Sequence, residues 1–268
     1  MLMENIVEEE AFLGTYKYRT FGEKALNKYR HWFPVKSSAD LSEIVASLLT
    51  DGHLEGRKVQ DHFKYDYFGY FSKNTEDLEH FNGLLKRCFG IQGKIRSWGK
   101  RLNGASTGVI VCNYALSRIL FLCGAERGDK ITKEYRLPAW ISNGSLDTRA
   151  AFLRRAFSCE GTITRDNRGY WALKYTMGKT EAISQNGITF LTDMKKMLYE
   201  FGIESNNIFL NQKILRKKDN TTTYMYCLKI LRKSIPVFAD KIGFDIGYKN
   251  DRLQKARAWA STSRVSPN

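Results

Sequence analysis

An α+β fold built from two similar halves is predicted for this chain of 268 residues. Three observations predict it. An apolar helical stretch over 40–51 ends in Asp51-Gly52, and a second over 148–160 ends in Glu160-Gly161. Each is followed by alternating, strand-like sequence. After a connector rich in helix breakers, the same order of elements restarts. Each half then reads helix–strand–strand–helix–strand–strand–helix. The spacing from Asp51 to Glu160 is far longer than a solenoid repeat and implies a domain-scale duplication with pseudo-two-fold symmetry.

The two acid-glycine endings carry an electrostatic question. Glycine just past a helix end suits a left-handed C-cap. A carboxylate in the last turn opposes the helix dipole, which favours cations there. Such an end needs a cation or a metal nearby, or it must be solvated.

Residues 1–38 carry Tyr16, Lys17, Tyr18, Arg19, Lys24, Lys28, Tyr29 and Arg30 without clear periodicity, and Pro34 closes the segment. They read as a nucleic-acid-contacting arm or as packing against the domain, with packing favoured. Ser38 or Asp40 can cap helix 40–51. The stretches His53–Gln60 and His62–Ser72 read as one hairpin, because Phe63, Tyr65, Tyr67, Gly69 and Phe71 alternate with a more mixed face. The stretch 75–89 is an amphipathic helix with Leu78, Phe81, Leu84, Leu85 and Cys88 at helical spacing, ended by Gly90. Strands 93–101 and 104–111 precede the apolar helix 114–123. In the second half, Asp147 or Thr148 caps helix 148–160, and a hairpin turns at Asp166–Gly169. Helix 184–201 and strands 207–216 and 222–231 follow, then a short helix 234–242 and a basic helix 249–260. The domains expected are an N-terminal extension 1–38, a first repeat 39–125, a linker 126–146, a second repeat 147–260 and a tail 261–268.

Forty-three Lys and Arg against 28 Asp and Glu leave a net charge of +15. A globular chain this basic usually faces a polyanion. Cys88, Cys112, Cys123, Cys159 and Cys227 have no C-x-x-C spacing and read as small buried hydrophobes in a reducing compartment. The four histidines show no metal-ligand spacing. The acidic opening residues do not resemble a signal peptide, and no run has the length of a membrane span. The expected location is intracellular, with access to DNA.

At this point the residues resemble a family. Leu153-Arg154-Arg155-Ala156-Phe157-Ser158-Cys159-Glu160-Gly161 is similar to the L-R-G-L-F-D-A-E-G variant of the motif that names the LAGLIDADG homing endonucleases. Ile44–Gly52 keeps small Ala46 and Asp51-Gly52. Tyr135-Arg136-Leu137-Pro138-Ala139-Trp140-Ile141 resembles a connector of archaeal and intein-type members. Ile242-Gly243-Phe244-Asp245-Ile246, with Lys249 and Leu253, resembles their C-terminal helix. The resemblance covers about residues 39–258 and implies a monomer of two αββαββα repeats. Their antiparallel sheets would form a DNA-binding saddle around a central pair of motif helices. Arg155 departs from the motif, standing where the family has glycine, and is expected to snorkel or to sit on the outer side of its helix.

The resemblance also implies chemistry. Asp51 and Glu160, with the Gly52 and Gly161 backbone, would hold Mg²⁺, with Mn²⁺ as a substitute, and each acid would serve the cutting of one strand of double-stranded DNA. Lys73 and Lys179, before the second helix of each half, would position the attacking water or stabilise charge, or else are solvated strand-end lysines. Each sheet would lie in a major groove. The candidate contacts are Arg57, Lys58, Lys64, Lys94, Arg96, Lys100 and Arg101 in the first half. In the second they are Arg165, Arg168, Lys174, Lys213, Arg216, Lys217 and Lys218. The third strands, 94–101 and 213–218, each carry four basic residues and no acid. Competing readings are an RNA maturase binding intron RNA, a non-cleaving DNA-binding regulator and a basic structural protein. Met1 at the start, and Pro267-Asn268 without a preceding His, favour a free-standing or intron-encoded protein over an intein.

Overall fold

The computed structural model describes residues 4–59, 62–64, 67–101 and 104–262, with the backbone alone between 57 and 64 and between 98 and 106. The chain divides into two units: Met1–Lys130 with Pro138–Phe152, and Ile131–Leu137 with Leu153–Asn268.

In unit 1 the N-terminal extension has structure of its own. Strand β1 (Asn5–Val7) is followed by helices α1 (Glu9–Leu13) and α2 (Arg19–Tyr29), and β2 (Val35–Lys36) pairs antiparallel with β1. It packs onto the repeat, as favoured from sequence. Trp32 Nε1 donates to the Phe89 carbonyl at 3.0 Å, and the Arg118 guanidinium lies 4.0 Å above the Tyr16 ring and donates to the Thr15 carbonyl. Burial raises the Tyr16 hydroxyl pKa against the opposing pull of that guanidinium.

The first repeat runs α3 (Ala39–Leu49), β3 (Gly52–Leu54), β4 (Arg57–Val59), β5 (His62–Lys64), β6 (Phe68–Phe71), α4 (Thr75–Phe89), β7 (Lys94–Arg101), β8 (Gly104–Val111) and α5 (Tyr114–Leu122). Ser38 caps α3, Asn74 caps α4 and Asn113 caps α5, each side chain accepting a first-turn N–H. The sheet order is β3-β6-β8-β7. The hairpin expected over 53–72 is split in two: β3 pairs with β6, and β4 pairs only with β5 as a separate ribbon. The chain leaves the sheet because the Gly128 N–H takes the Leu54 carbonyl at 3.0 Å. A Cβ at Gly56 would also collide with the Arg127 side chain.

The short helix α6 (Ala139–Ser142) precedes α7 (Leu146–Glu160). Asp147 and Thr148 do not cap α7. Ser145 Oγ accepts the Thr148 N–H at 3.1 Å, so the helix starts earlier than expected. Its first turns belong to unit 1, where the Ser42 hydroxyl of α3 donates to the Thr148 carbonyl at 2.8 Å.

Unit 2 continues with β9 (Gly161–Arg165), β10 (Trp171–Thr180), α8 (Ser184–Glu200), β11 (Phe209–Leu215), β12 (Thr222–Lys229), α9 (Ile235–Lys241) and α10 (Gly247–Ser261). Its sheet order, β9-β10-β12-β11, repeats that of unit 1 element for element. In each unit the motif-helix residues and the second helix cover one sheet face. Phe68, Tyr70 and Val109 are buried there in unit 1, and Leu173, Tyr175 and Leu228 in unit 2. Cys123 and Cys227 are buried as expected and Cys88 is half-buried, with burial pushing the Cys88 thiol up to about 12, whereas Cys112, just past the end of β8, is exposed.

Candidate functional site

The two acid-glycine junctions have the same construction. Each motif helix passes into the first strand of its sheet with almost no loop. Asp51 and Glu160 are exposed at the passage, and the glycine after each is buried. The glycines are not left-handed caps, since neither has a positive φ. They are required by close approach. A Cβ on Gly52 would lie 2.7 Å from the Leu48 Cα and from the Ser47 carbonyl oxygen, and one on Gly161 would overlap the Phe157 carbonyl oxygen. The strand folds back over the last turn of the helix it left.

A cation does stand at each helix end, and it is a lysine. Lys130 Nζ donates to the carbonyls of Leu48 (2.9 Å), Thr50 (2.5 Å) and Gly52 (2.5 Å). Lys249 Nζ donates to the carbonyls of Ser158 (2.5 Å), Cys159 (3.2 Å) and Gly161 (2.8 Å). Each ammonium therefore closes the carbonyl end of its motif helix in the turn that carries the acid. Lys249 is buried, whereas Lys130 is half-buried. Sequence reading missed this role for both. The signal available was repetition: in each half one lysine follows the last helix or connector after the sheet.

Arg155 neither snorkels nor faces outward. Its side chain is wholly buried in unit 2, with Nη1 3.9 Å from Asp245 Oδ2. The Ser158 hydroxyl accepts the Asp245 N–H at 2.8 Å, and Arg154 Nε donates to the Ile242 carbonyl at 2.7 Å. The motif helix thus tethers the segment leading into α10, which carries Lys249.

The two strand-end lysines are not equivalent. Lys73 is exposed at the β6–α4 junction. Lys179 is fully buried in β10, with Nζ 2.5 Å from the Lys133 carbonyl and 3.7 Å from the centroid of the Tyr135 ring. Gly187 of α8 makes room for its stem, since a Cβ there would come within 3.1 Å of Lys179 Cγ. With Asn186, which exchanges hydrogen bonds with the Tyr135 backbone, Lys179 holds connector 131–137 to unit 2.

Register sorts the basic candidates. In unit 1, Lys94 and Arg96 pair with Ile110 and Gly108 on the sheet face away from the buried Tyr70 and Val109. Arg57, Lys58 and Lys64 lie on the β4–β5 ribbon and Lys100 and Arg101 at the end of β7; their side chains fall outside the described residues. In unit 2, Lys174 is on the open face beside Thr162 and Lys229. Lys213 pairs with Tyr224 on the other face, where its ammonium stands 4.5 Å from the Tyr224 ring centroid. Arg216, Lys217 and Lys218 are not strand residues as expected but follow β11 in the turn, where Arg216 meets Asp219 at 3.4 Å. Arg165 ends β9 and Arg168 lies in the β9–β10 turn, 3.4 Å from Asp166. Asp166 is held below the usual carboxylate range, chiefly by the Tyr170 N–H.

The donors at the junctions fit a hard divalent cation. Each offers an exposed carboxylate, while the neighbouring ammonium is engaged by backbone carbonyls. The Gly52 and Gly161 carbonyls already accept from those ammoniums, which leaves the carboxylates as the better donors. Among the described residues, no helix is long and apolar enough to cross a membrane.

Comparison with known proteins agrees with this construction. Residues 147–243 match the LAGLIDADG-like domain family. The chain is 30% identical over 175 residues to a tRNA-splicing ligase RtcB of Pyrococcus abyssi, covering 63% of this chain and 18% of that protein. It is 30% identical over 262 residues to the DNA-directed RNA polymerase subunit Rpo1N of Methanocaldococcus jannaschii, covering 90% of this chain and 18% of that one. The chain thus spans less than a quarter of the curated relatives it matches. Among solved structures it resembles the homing endonuclease I-WcaI bound to its DNA recognition sequence, with a TM-score of 0.52 at 14% identity, covering 92% of this chain and 98% of that one. It also resembles mesophilic variants of the homing endonuclease I-DmoI, with a TM-score of 0.50 at 18% identity, covering 81% and 99%. Residues 147–243 are thus a LAGLIDADG-like domain, and the chain has the fold of the homing endonucleases it resembles.

Proposed function

We propose that the chain is a site-specific endonuclease of double-stranded DNA that makes a staggered cut in a long site, working as a monomer with Mg²⁺ or Mn²⁺. The observation that carries this is the repeated junction: an exposed acid, a sterically required glycine and a lysine-closed helix end, present once in each unit. A structural protein has no need of two such carboxylates. The matched stretch also recurs in a ligase, a replication factor C small subunit and a polymerase subunit, always as a minor part of a longer chain. That distribution supports a portable module whose activity is separate from those names.

When bound, the metal supplies Lewis acidity and a water of lowered pKa. The protein's part is preorganisation. Asp51 and Glu160 sit at the passage from a helix to a strand, so the backbone that carries them does not have to be ordered on binding. Lys130 and Lys249 offset the negative helix ends that would otherwise oppose those carboxylates. Lys73, being exposed, can meet phosphate charge. Lys179 can do so only by leaving the Lys133 carbonyl. Lys94, Arg96, Lys174 and Lys229 on the open sheet faces position the duplex through its phosphates and bases.

The test is selection of cleaved duplexes from a randomised library with Mg²⁺, followed by Asp51→Asn and Glu160→Gln. Each variant should retain binding and lose cleavage of one strand; both together should bind without cutting. Binding without cleavage by the unaltered chain, with Mg²⁺ and with Mn²⁺, would leave a DNA-binding regulator instead. One observation favours an RNA maturase as a second reading: Tyr18 and Phe21 are exposed at the start of α2, near the basic Lys17 and Lys24. Splicing of a cognate intron that survives Asp51→Asn would support it.

A further inference from the structure

The open face of the unit 2 sheet has a charge pattern that cation counting along the strands conceals. Register aligns three rows across β11, β12 and β10: Phe209–Cys227–Thr176, Gln212–Met225–Gly178 and Ile214–Thr223–Thr180. None of these residues is charged, and Cys227 and Thr223 of the middle strand are buried among their neighbours, which leaves the edge strand and Met225 as the accessible part of β11 and β12. Gly178 fixes the face, because a Cβ there would stand 2.7 Å from Met225 Sδ and 3.0 Å from Thr223 Cγ2, so both side chains lean across it. Phe209, Gln212 and Ile214 are exposed on the edge strand. Cations stand only beyond the rows. Lys174 and Lys229 pair at one end, and exposed Lys217 and Lys218 occupy the turn at the other. From Thr223 to Cys227 the strand runs about 14 Å at the usual rise per residue, close to the width of about 12 Å of a major groove. A neutral patch of groove width between two cationic ends suits base edges under the patch and phosphates under the ends.

We propose that Gln212, Ile214 and Met225 are specificity-determining residues and that unit 2 reads an A·T-rich segment in the major groove. This rests on the DNA-binding reading above and adds which bases are read. Gln212 can donate to adenine N7 and accept from its N6 amino group, while Ile214, Met225 and Phe209 offer apolar surface to thymine methyl groups. Guanine recognition would call for an arginine or lysine, which the three rows lack. On the corresponding face of unit 1, Lys94 and Arg96 occupy the third strand, so the two units differ in the chemistry they present.

The test uses the full chain with Ca²⁺ in place of Mg²⁺, selecting bound duplexes from a randomised library. The expected pool contains one run of A·T pairs. Gln212→Ala should lose the preference for adenine at one position in that run, leave the other positions unchanged and weaken the selected site about tenfold. Ile214→Arg should convert a neighbouring A·T position to G·C. A pool with a defined site in which Gln212→Ala and Ile214→Arg alter only G·C positions, or none, overturns the assignment while leaving the DNA-binding reading intact. A pool in which no sequence is enriched overturns that reading, and this assignment with it.

Discussion

Replacing Lys249 by methionine removes the ammonium and keeps most of the apolar stem. Two backbone carbonyls in the last turn of α7 and one at the start of β9 then lose their donor. A hydrogen bond to a charged group contributes about 1.5–3 kcal/mol, and a partly buried cation at a helix C-terminus contributes up to about 2 kcal/mol. These overlap and do not add. The Cys159 contact is long, and the adjoining Glu160 is exposed, so water can replace part of what is lost. We expect unit 2 to lose about 3 kcal/mol. Urea denaturation followed by near-ultraviolet signal from the aromatic core would read the loss as a lower midpoint at unchanged slope. Lys255→Met is the control, because Lys255 is exposed on the same helix and should change stability by no more than about 0.5 kcal/mol. Lys130→Met should cost about half as much as Lys249→Met, since Lys130 is half-exposed and its bonds are screened. A Lys249→Met loss equal to that of Lys255→Met would refute the view that these ammoniums close the motif helices.

Further outcomes follow from other features of the site. Gly161→Ala should destabilise unit 2 by about 2–4 kcal/mol, because the new methyl meets backbone rather than a movable side chain; a thermal melt checks it against Gly247→Ala, where no atom lies within 4 Å. Asp245→Ala should destabilise unit 2 by about 1–3 kcal/mol, because it removes a carboxylate beside the buried Arg155 charge. The loss stays modest, since Asp245 itself is exposed, and is larger than that of Arg155→Met; equal losses in the two variants would contradict that pairing. Asp166 has a depressed folded pKa, so its hold on the β9–β10 turn is present above the unfolded value and is lost as pH falls through the lower folded one. An NMR titration of its carboxyl should show a midpoint below that of an unstructured aspartate. DNA affinity should fall steeply between low and high salt by counterion release, and a flat response would contradict groove contacts by Lys94, Arg96 and Lys174.

The helices and the duplication were legible because they rest on periodicity. Leu78, Phe81, Leu84 and Leu85 at helical spacing need one buried face, and a capping Ser or Asn marks each start in the first repeat. The acid-glycine pair was legible because a carboxylate at a helix C-terminus is anomalous by itself. Its explanation was not. The lysine that answers each acid is remote in sequence, and its recurrence once in each half does not say what it touches, so only the fold brings it to the helix end. Arg155 misled for a related reason. The motif position suggests a close helix approach, but its partner, Asp245, is reached only through a non-local turn. The β4–β5 ribbon was missed because unbroken alternation does not record that Gly56 must pass against Arg127. The end of β11 was misread as well: counting cations from 213 to 218 took Arg216, Lys217 and Lys218 for strand residues, whereas β11 ends at Leu215.

The helix-to-strand passages also set where this chain can change length. At Gly52 and Gly161 a single inserted residue would rotate the acid off its helix end and, at the same step, reverse which side chains of the following strand point outward. Sequence drift there is confined to substitution. The β4–β5 ribbon carries no such double constraint, since its strands pair only with each other. Residues can be added to it or removed without moving either acid. Relatives that recognise longer or shorter DNA segments should therefore differ in that ribbon while the two passages keep their residue count, and grafting a longer ribbon is the route by which reach could be changed independently of the chemistry.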